Sequence, residues 1–297
     1  MSLPPDRGHI ATEQVHGGTV SLDMLSTREC VDLLSSDHEQ AINAVQKANA
    51  SISAFIDDVH KKILKGGRLI YIGCGTSGRL GVLDAAECPP TFQSDPELIV
   101  GLIAGGDASL RTSSEAKEDD PLGIIPEFDR LGISSSDTVL GIAAGGTTPW
   151  VIGGLRAATQ RGAMTGFITC SSIIEPLADH MIFLDTGPEP LTGSTRLKAG
   201  TATKLTLNII STTLFTQLGK VYGNLMVDLK ATNNKLRDRA IRIITSICGT
   251  EREESAAILE NAHGELKTAI VMHQCDLDFK SATQKLEAVG GNLRSAL

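Results

Sequence analysis

Between residues 35 and 67, apolar side chains recur at three-and-four spacing: Ala41, Ile42, Val45, Ala48, Ile52, Phe55, Ile56 and Val59. The spacing predicts one long amphipathic helix over 37–65, capped by Ser35-Ser36-Asp37 and stopped by Gly66-Gly67. The pattern then changes. Short runs rich in Ile and Val at 68–72, 98–104, 138–143, 164–169 and 181–184 are separated by segments of helical spacing such as 149–161. Strands apolar on both faces and alternating with helices predict a parallel sheet covered on both sides, an α/β sandwich over about 60–240. No Asn-Gly or Asp-Gly pair joins alternating runs, so no antiparallel hairpin is expected. After about residue 240 the strand-like runs stop. There Leu259, Glu260, Gly264, Leu266 and Ala269 recur 27 residues later as Leu286, Glu287, Gly291, Leu293 and Ala296. Two helix–glycine–helix copies predict a small helical appendage, too short for a solenoid. The expected organisation is an irregular arm over 1–34, a sheet domain over 35–240 and a helical domain over 241–297.

Composition narrows the partners. With 27 Lys+Arg against 35 Asp+Glu, the net charge of −8 offers no basic surface for nucleic acid, and 3% aromatic residues offer no stacking platform for bases. The six cysteines, at 30, 74, 88, 170, 248 and 275, form no C-x-x-C pair and suit a reducing compartment. The histidines at 9, 16, 38, 60, 180, 263 and 273 lack metal-ligand spacing, so no metal is expected. The first residues lack the apolar stretch of a signal peptide, and 199–218 carries Lys204 and Asn208, which reads as a buried helix. A soluble cytoplasmic protein with no membrane partner is expected.

The chemistry is concentrated in turns. The run 68–72 leads directly into Gly73-Cys74-Gly75-Thr76-Ser77-Gly78-Arg79, a strand–turn–helix that aims backbone N–H groups and a helix dipole at one point, as an anion site requires. A dinucleotide site would place an acidic residue at the end of the second strand, where Asp107 comes several residues late. A nucleotide P-loop would place Lys then Ser or Thr after the last glycine, where Arg79-Leu80 stand. The paired hydroxyls of Thr76 and Ser77 suit a terminal phosphate monoester, and the competing reading is a tight turn whose hydroxyls only cap a helix. A second such turn, Ala144-Gly145-Gly146-Thr147-Thr148-Pro149, opens a helix at Pro149. Two strand-end turns meet on one ligand only at the carboxyl edge of a sheet. A third hydroxyl-rich helix start is Thr192-Gly193-Ser194-Thr195 followed by Arg196 and Lys198, where an ordinary N-cap is the competing reading. Cys74 and Cys88 flank the first turn, and an amide-rich helix start would activate Cys74, yet no neighbouring histidine supplies a base.

The stretches IYIGCGTSGRLGVLDAAECPPTF (70–92), LIAGGDASL (102–110), TGSTRLKAGTATKL (192–205) and GNLMVDLKATNNKLRDRA (223–240) closely resemble the N-acetylmuramic acid 6-phosphate etherases. The resemblance covers most of the chain from about residue 20 and implies a sugar-isomerase (SIS) fold, a flavodoxin-like parallel-sheet sandwich with a small C-terminal helical domain resembling a ubiquitin-associated domain. It implies cleavage of the D-lactyl ether of N-acetylmuramic acid 6-phosphate to N-acetylglucosamine 6-phosphate and D-lactate, by elimination then hydration, with an acid and a base and no cofactor. Glucokinase regulatory proteins share part of the pattern, so a non-catalytic sugar-phosphate regulator is the alternative, and a sugar-phosphate isomerase a third reading. A homodimer with sites near the subunit boundary is also implied.

Under the resemblance the acid is Glu87, in the run ECPPTF. Pro89 and Pro90 are expected to end its helix there, and the negative helix end would favour a proton donor. The second catalytic glutamate is placed at Glu118, within Glu115-Ala116-Lys117-Glu118-Asp119-Asp120, where the residues alone leave Glu115 and Asp119 open. The implied substrate-binding set is Gly75, Thr76, Ser77, Gly145, Gly146, Thr147, Thr148, Ser194, Thr195 and Lys198. In the second turn the family reads A-A-S-G-R-T-P-Y, and this chain has Gly145 for the serine and Thr147 for the arginine. Losing one charge-assisted hydrogen bond is expected to cost about 1.5–3 kcal/mol of affinity, with the amides of Gly145 and Gly146, together with Thr147 and Thr148, offsetting part of it.

Overall fold

The computed structural model describes residues 6–297 apart from 114, 174, 230 and 232. It divides into two compact units, one of Met1–Ala86 and Pro96–Ile210, the other of Glu87–Asp95 and Ser211–Leu297.

The first unit opens with short 3-10 turns, one at Ala11–Glu13, and then three helices, α1 (Thr27–Asp37), α2 (Glu39–Lys47) and α3 (Asn49–Ile63). The single helix expected over 37–65 is therefore broken at His38 and Ala48, and the helical stretch begins ten residues earlier than 37. The cap is not Ser35-Ser36-Asp37, which lies inside α1, but Ser26, in a reciprocal capping box with Glu29. Both breaks keep backbone angles near the helical region, −67°, −13° at His38 and −88°, 1° at Ala48. The buried stripe runs across Ala48 from Ala41 and Val45 to Ile52, Phe55, Ile56 and Val59, whereas Ile42, expected in it, is exposed and α1 buries no residue.

Next come β1 (Leu69–Gly73), α4 (Gly75–Phe92), β2 (Ile99–Ile103), α5 (Ile125–Leu131), β3 (Thr138–Ile142), α6 (Pro149–Gln160), β4 (Met164–Thr169), β5 (His180–Phe183) and α7 (Lys198–Gln217). The five strands form one parallel sheet in the order β2-β1-β3-β4-β5. This is the flavodoxin-like order, whose switch point lies between β1 and β3. Ile70, Ile72, Val139 and Phe167 bury one face in a core shared with Phe128 of α5 and Trp150, Val151 and Leu155 of α6. On the other face, Tyr71 donates its hydroxyl to Asp84 of α4 (3.1 Å), and Asn208 of α7 donates to the same carboxylate (2.8 Å). That buried carboxylate fixes α4 and α7 against the central strand.

The second unit carries a two-stranded antiparallel ribbon, β6 (Val221–Tyr222) and β7 (Leu225–Met226), then α8 (Asn234–Cys248), α9 (Arg252–Asn261), α10 (Leu266–Cys275), α11 (Phe279–Ala288) and α12 (Leu293–Ala296). The ribbon overturns the expectation of no hairpin: its turn residues are Gly223-Asn224, a hairpin pair that a search for Asn-Gly and Asp-Gly passes over. The internal repeat is structural. Leu259 and Leu286, Leu266 and Leu293, and Ala269 and Ala296 are all buried, and Gly264 and Gly291 both have left-handed angles, at φ 81° and 75°. The boundary at 240/241 falls inside α8, because Val227 and Leu229 already belong to this unit's apolar core. Among the described residues no helix is long and apolar enough to cross a membrane.

Candidate active site

β1 and β3 are neighbours in register, with Gly73 opposite Ile142, so the turns that follow them leave the same edge of the sheet side by side. After β1 the chain enters α4 through Gly75, whose φ of 51° is left-handed. A side chain there would be strained, and its Cβ would stand 3.4 Å from Oε1 of Glu118. Glu118 is thus brought to the first turn from a segment 45 residues away in sequence, counting from Gly73. It is half-buried, and its carbonyl accepts the backbone N–H of Trp150 at 3.0 Å, which ties the segment to the start of α6. Gly153, one turn further along α6, has no room for a Cβ, which would lie 1.8 Å from the Pro121 carbonyl. Of the alternatives in this acidic run, Asp119 is exposed, and the side chain of Glu115 lies outside the described residues.

Thr76 and Ser77 are half-buried in the first turn of α4. The first amides of a helix have no partner within it, and Thr76 and Ser77 stand among them. In the second turn, Thr148 is the N-cap of α6 yet its hydroxyl makes no capping bond. Thr147 is exposed beside it. The N–H of Gly146 donates to the Ala143 carbonyl at 2.9 Å, so that amide is spent within the turn and does not offset the residues changed there.

The third turn also reaches this edge. A Cβ at Gly200 in α7 would lie 3.5 Å from Cγ2 of Thr76, and one at Gly193 would lie 3.1 Å from Oε2 of Glu13. Ser194 and Thr195 are half-buried between these two points in sequence. The N-terminal arm closes the circle, since a Cβ at Gly145 would be 3.7 Å from Oγ1 of Thr12.

One expected role is not met, and the expected reason for another falls away. Lys198 is fully buried, and its ammonium donates to Asp37 (3.1 Å) and Gln40 (3.2 Å). It anchors α7 to α1 and α2 instead of facing a ligand. Spacing could not distinguish the two, because burial of a lysine shows only once its carboxylate partner is placed. The amides of Lys198 and Ala199 are in turn taken by the two oxygens of Glu189, each at 2.9 Å. Glu189, fully buried, was not singled out in the sequence. Its signal was an acidic residue nine positions before a helix start, too weak to read alone. Glu87 is exposed, and α4 does not end beside it. The helix runs through Pro89 and Pro90 to Phe92, and Gln93, at φ 48°, is the left-handed stop. The negative helix end therefore does not fall at Glu87.

Burial, then the carboxylates of Glu118 and Asp119, push the Cys74 thiol far above its ordinary range, the opposite of activation. Among the described residues no group of three or more His, Cys, Asp or Glu is placed to hold a metal. A separate cleft of about 820 Å³ lies on the open side of β2, bordered by Asp107, Lys117, Asp120 and Trp150. It lacks the clustered hydroxyls of the three turns, so its size alone does not make it the site.

Comparison with known proteins adds the family context. The glucokinase regulatory protein N-terminal SIS domain matches residues 51–159, and the C-terminal lid domain of glucokinase regulatory protein matches 223–289. Over nearly the whole chain the similarity is to enzymes. The N-acetylmuramic acid 6-phosphate etherase of Trichormus variabilis is 50% identical over 299 residues, covering 100% of this chain and 97% of the relative. The etherases of Crocosphaera subtropica and a Nostoc species are 48% and 50% identical over 294 residues, each covering 98% of this chain and 96% of the relative.

Proposed function

The chain belongs to the N-acetylmuramic acid 6-phosphate etherase family and is a carbon–oxygen lyase; from that premise we propose how its residues divide the reaction. The observation that carries the proposal is the placement of the Glu118 carboxylate against Gly75, where the hydroxyl-bearing turns after β1 and β3 meet.

Thr76 and Ser77, with the first amides of α4, hold the phosphate, and Thr147, Thr148, Ser194 and Thr195 hold the rest of the head group. In the open-chain sugar the lactyl ether lies β to the aldehyde. Glu118 takes the proton from carbon 2 and Glu87 gives a proton to the ether oxygen, so D-lactate departs and leaves a carbon–carbon double bond. Water then adds across it to give N-acetylglucosamine 6-phosphate. Each proton transfer contributes about 10²–10⁴-fold. In the homodimer that the family resemblance implies, with sites near the subunit boundary, the acid comes from the second copy. Full-length similarity to etherases favours this over a non-catalytic regulator, and a cytoplasmic place in amino-sugar recycling follows from the substrate.

The test is lactate release from N-acetylmuramic acid 6-phosphate by Glu87→Ala, Glu118→Gln and a refolded equal mixture of the two. Each variant alone is expected to be inactive. The mixture should recover about a quarter of wild-type activity, because half of the dimers then carry one intact site. Activity in either single variant removes that residue from the chemistry. No recovery in the mixture means that both carboxylates act from one chain.

A further inference from the structure

We propose that Thr12, in the N-terminal arm, is a substrate-binding residue whose hydroxyl bonds an oxygen of the sugar phosphate held over Gly145. Thr12 lies in the 3-10 turn Ala11–Glu13 and is 0% exposed. Its Oγ1 has no hydrogen-bond partner among the described residues. A buried hydroxyl with nothing to bond is unfavourable, and a ligand that supplies the missing partner relieves that cost.

The direction of the hydroxyl is given by the turn it faces. A point one bond above Gly145 lies 3.7 Å from Thr12 Oγ1, 3.8 Å from Thr147 Oγ1 and 3.8 Å from the side chain of Ile10. Two hydroxyls from different parts of the chain therefore stand in van der Waals range of the one position that a side chain at Gly145 would take, beside an apolar wall. Gly145 is not among the residues with a left-handed backbone, so its conformation does not demand glycine. The absent side chain leaves that position for a ligand atom. An oxygen-rich ligand seated there would accept from Thr12 and Thr147 together.

The arm is also held in place by its own bonds. His16 accepts the Gly18 N–H through Nδ1 (3.2 Å), which leaves Nε2 carrying the proton 3.3 Å from Asp37. Asp37 is the buried carboxylate that also holds Lys198. The hydroxyl of Thr12 is thus pre-positioned, and the arm forms part of the site wall.

This inference rests on the etherase reading, and the experiment separates the two. The full chain is compared with Thr12→Val, which keeps shape and removes the hydroxyl, with Thr12→Ser, which keeps the hydroxyl, and with Thr12→Val/Gly145→Ser, which returns a hydroxyl to the same space. KM and kcat for lactate release and the melting temperature without ligand are measured. Thr12→Val is expected to raise KM about 5- to 15-fold, with a smaller change in kcat, while its melting temperature holds or rises. Thr12→Ser and the double variant are expected to recover most of the affinity. An unchanged KM in Thr12→Val, or a raised KM accompanied by a lower melting temperature, overturns the proposal in favour of a packing role. If the wild type releases no lactate, the etherase reading fails by itself. Thr12 is then judged by the melting-temperature shift that N-acetylglucosamine 6-phosphate gives, and a shift preserved in Thr12→Val overturns the proposal.

Discussion

Helices α4 and α7 both begin beside hydroxyl-rich turns at the same edge of the first unit, yet they have opposite uses. At α7, the amides of Lys198 and Ala199 are closed by Glu189, and the Lys198 ammonium is consumed by Asp37 and Gln40. At α4, the chain turns through a left-handed Gly75 and presents Thr76 and Ser77 next to Glu118. Both helix starts thus carry a carboxylate, but Glu189 is fully buried and taken up by the amides of α7, whereas Glu118 stays half-buried beside Gly75 and two hydroxyls. A carboxylate at a positive dipole end is structural where it is buried on the helix's own amides, and can serve chemistry where it keeps an accessible side.

The sharpest way to break this contrast is Lys198→Met. It takes the ammonium from Asp37, whose side chain is 7% exposed, leaves that carboxylate the His16 imidazole, and should cost about 3–5 kcal/mol, read as a lower denaturant midpoint. Were Lys198 a phosphate ligand, the loss would appear in KM with the midpoint unchanged. Glu189→Gln comes next. An amide cannot accept with both of its ends, so one N–H of α7 loses its partner, at about 1–3 kcal/mol by the same measurement. The smallest effect belongs to α4. Cys74 resists ionisation, so it should be labelled by iodoacetamide at pH 8 only after unfolding. Its thiol is raised in the folded state, so its contribution to stability is full below the ordinary thiol value, about 8.5, and is lost as pH rises toward the folded value. Wild type should accordingly lose more of its melting temperature between pH 7 and 10 than Cys74→Ala.

The sheet was legible from the chain because strands buried on both faces write themselves as unbroken Ile and Val runs, and the five observed strands match the expected runs to within one residue at either end. The duplicated helices were legible for a related reason: Gly264 and Gly291 mark identical turns in two copies of one packing problem. The roles of individual polar residues were less so. Lys198 follows Arg196 in a motif that reads as an anion site, and only the tertiary position of Asp37 turns it inward. Pro89 and Pro90 read as a stop, but two missing N–H groups near the end of an 18-residue helix remove few bonds, and α4 continues past them. Thr12 opens the run Thr12-Glu13-Gln14, which matches the start of the family's N-terminal T-E-Q-R-N-P before the chain departs into Val15-His16-Gly17, but its hydroxyl becomes conspicuous only when its burial and its lack of a partner are both seen.

Gly153 touches nothing reactive, yet the 1.8 Å that a methyl group would leave to the Pro121 carbonyl makes hydrogen the only substituent tolerated there. The strand of chain it admits is the one that delivers Glu118. Neutral drift along α6 must therefore skirt this position, and a survey of mutational tolerance would rank a residue with no functional group alongside those that have one.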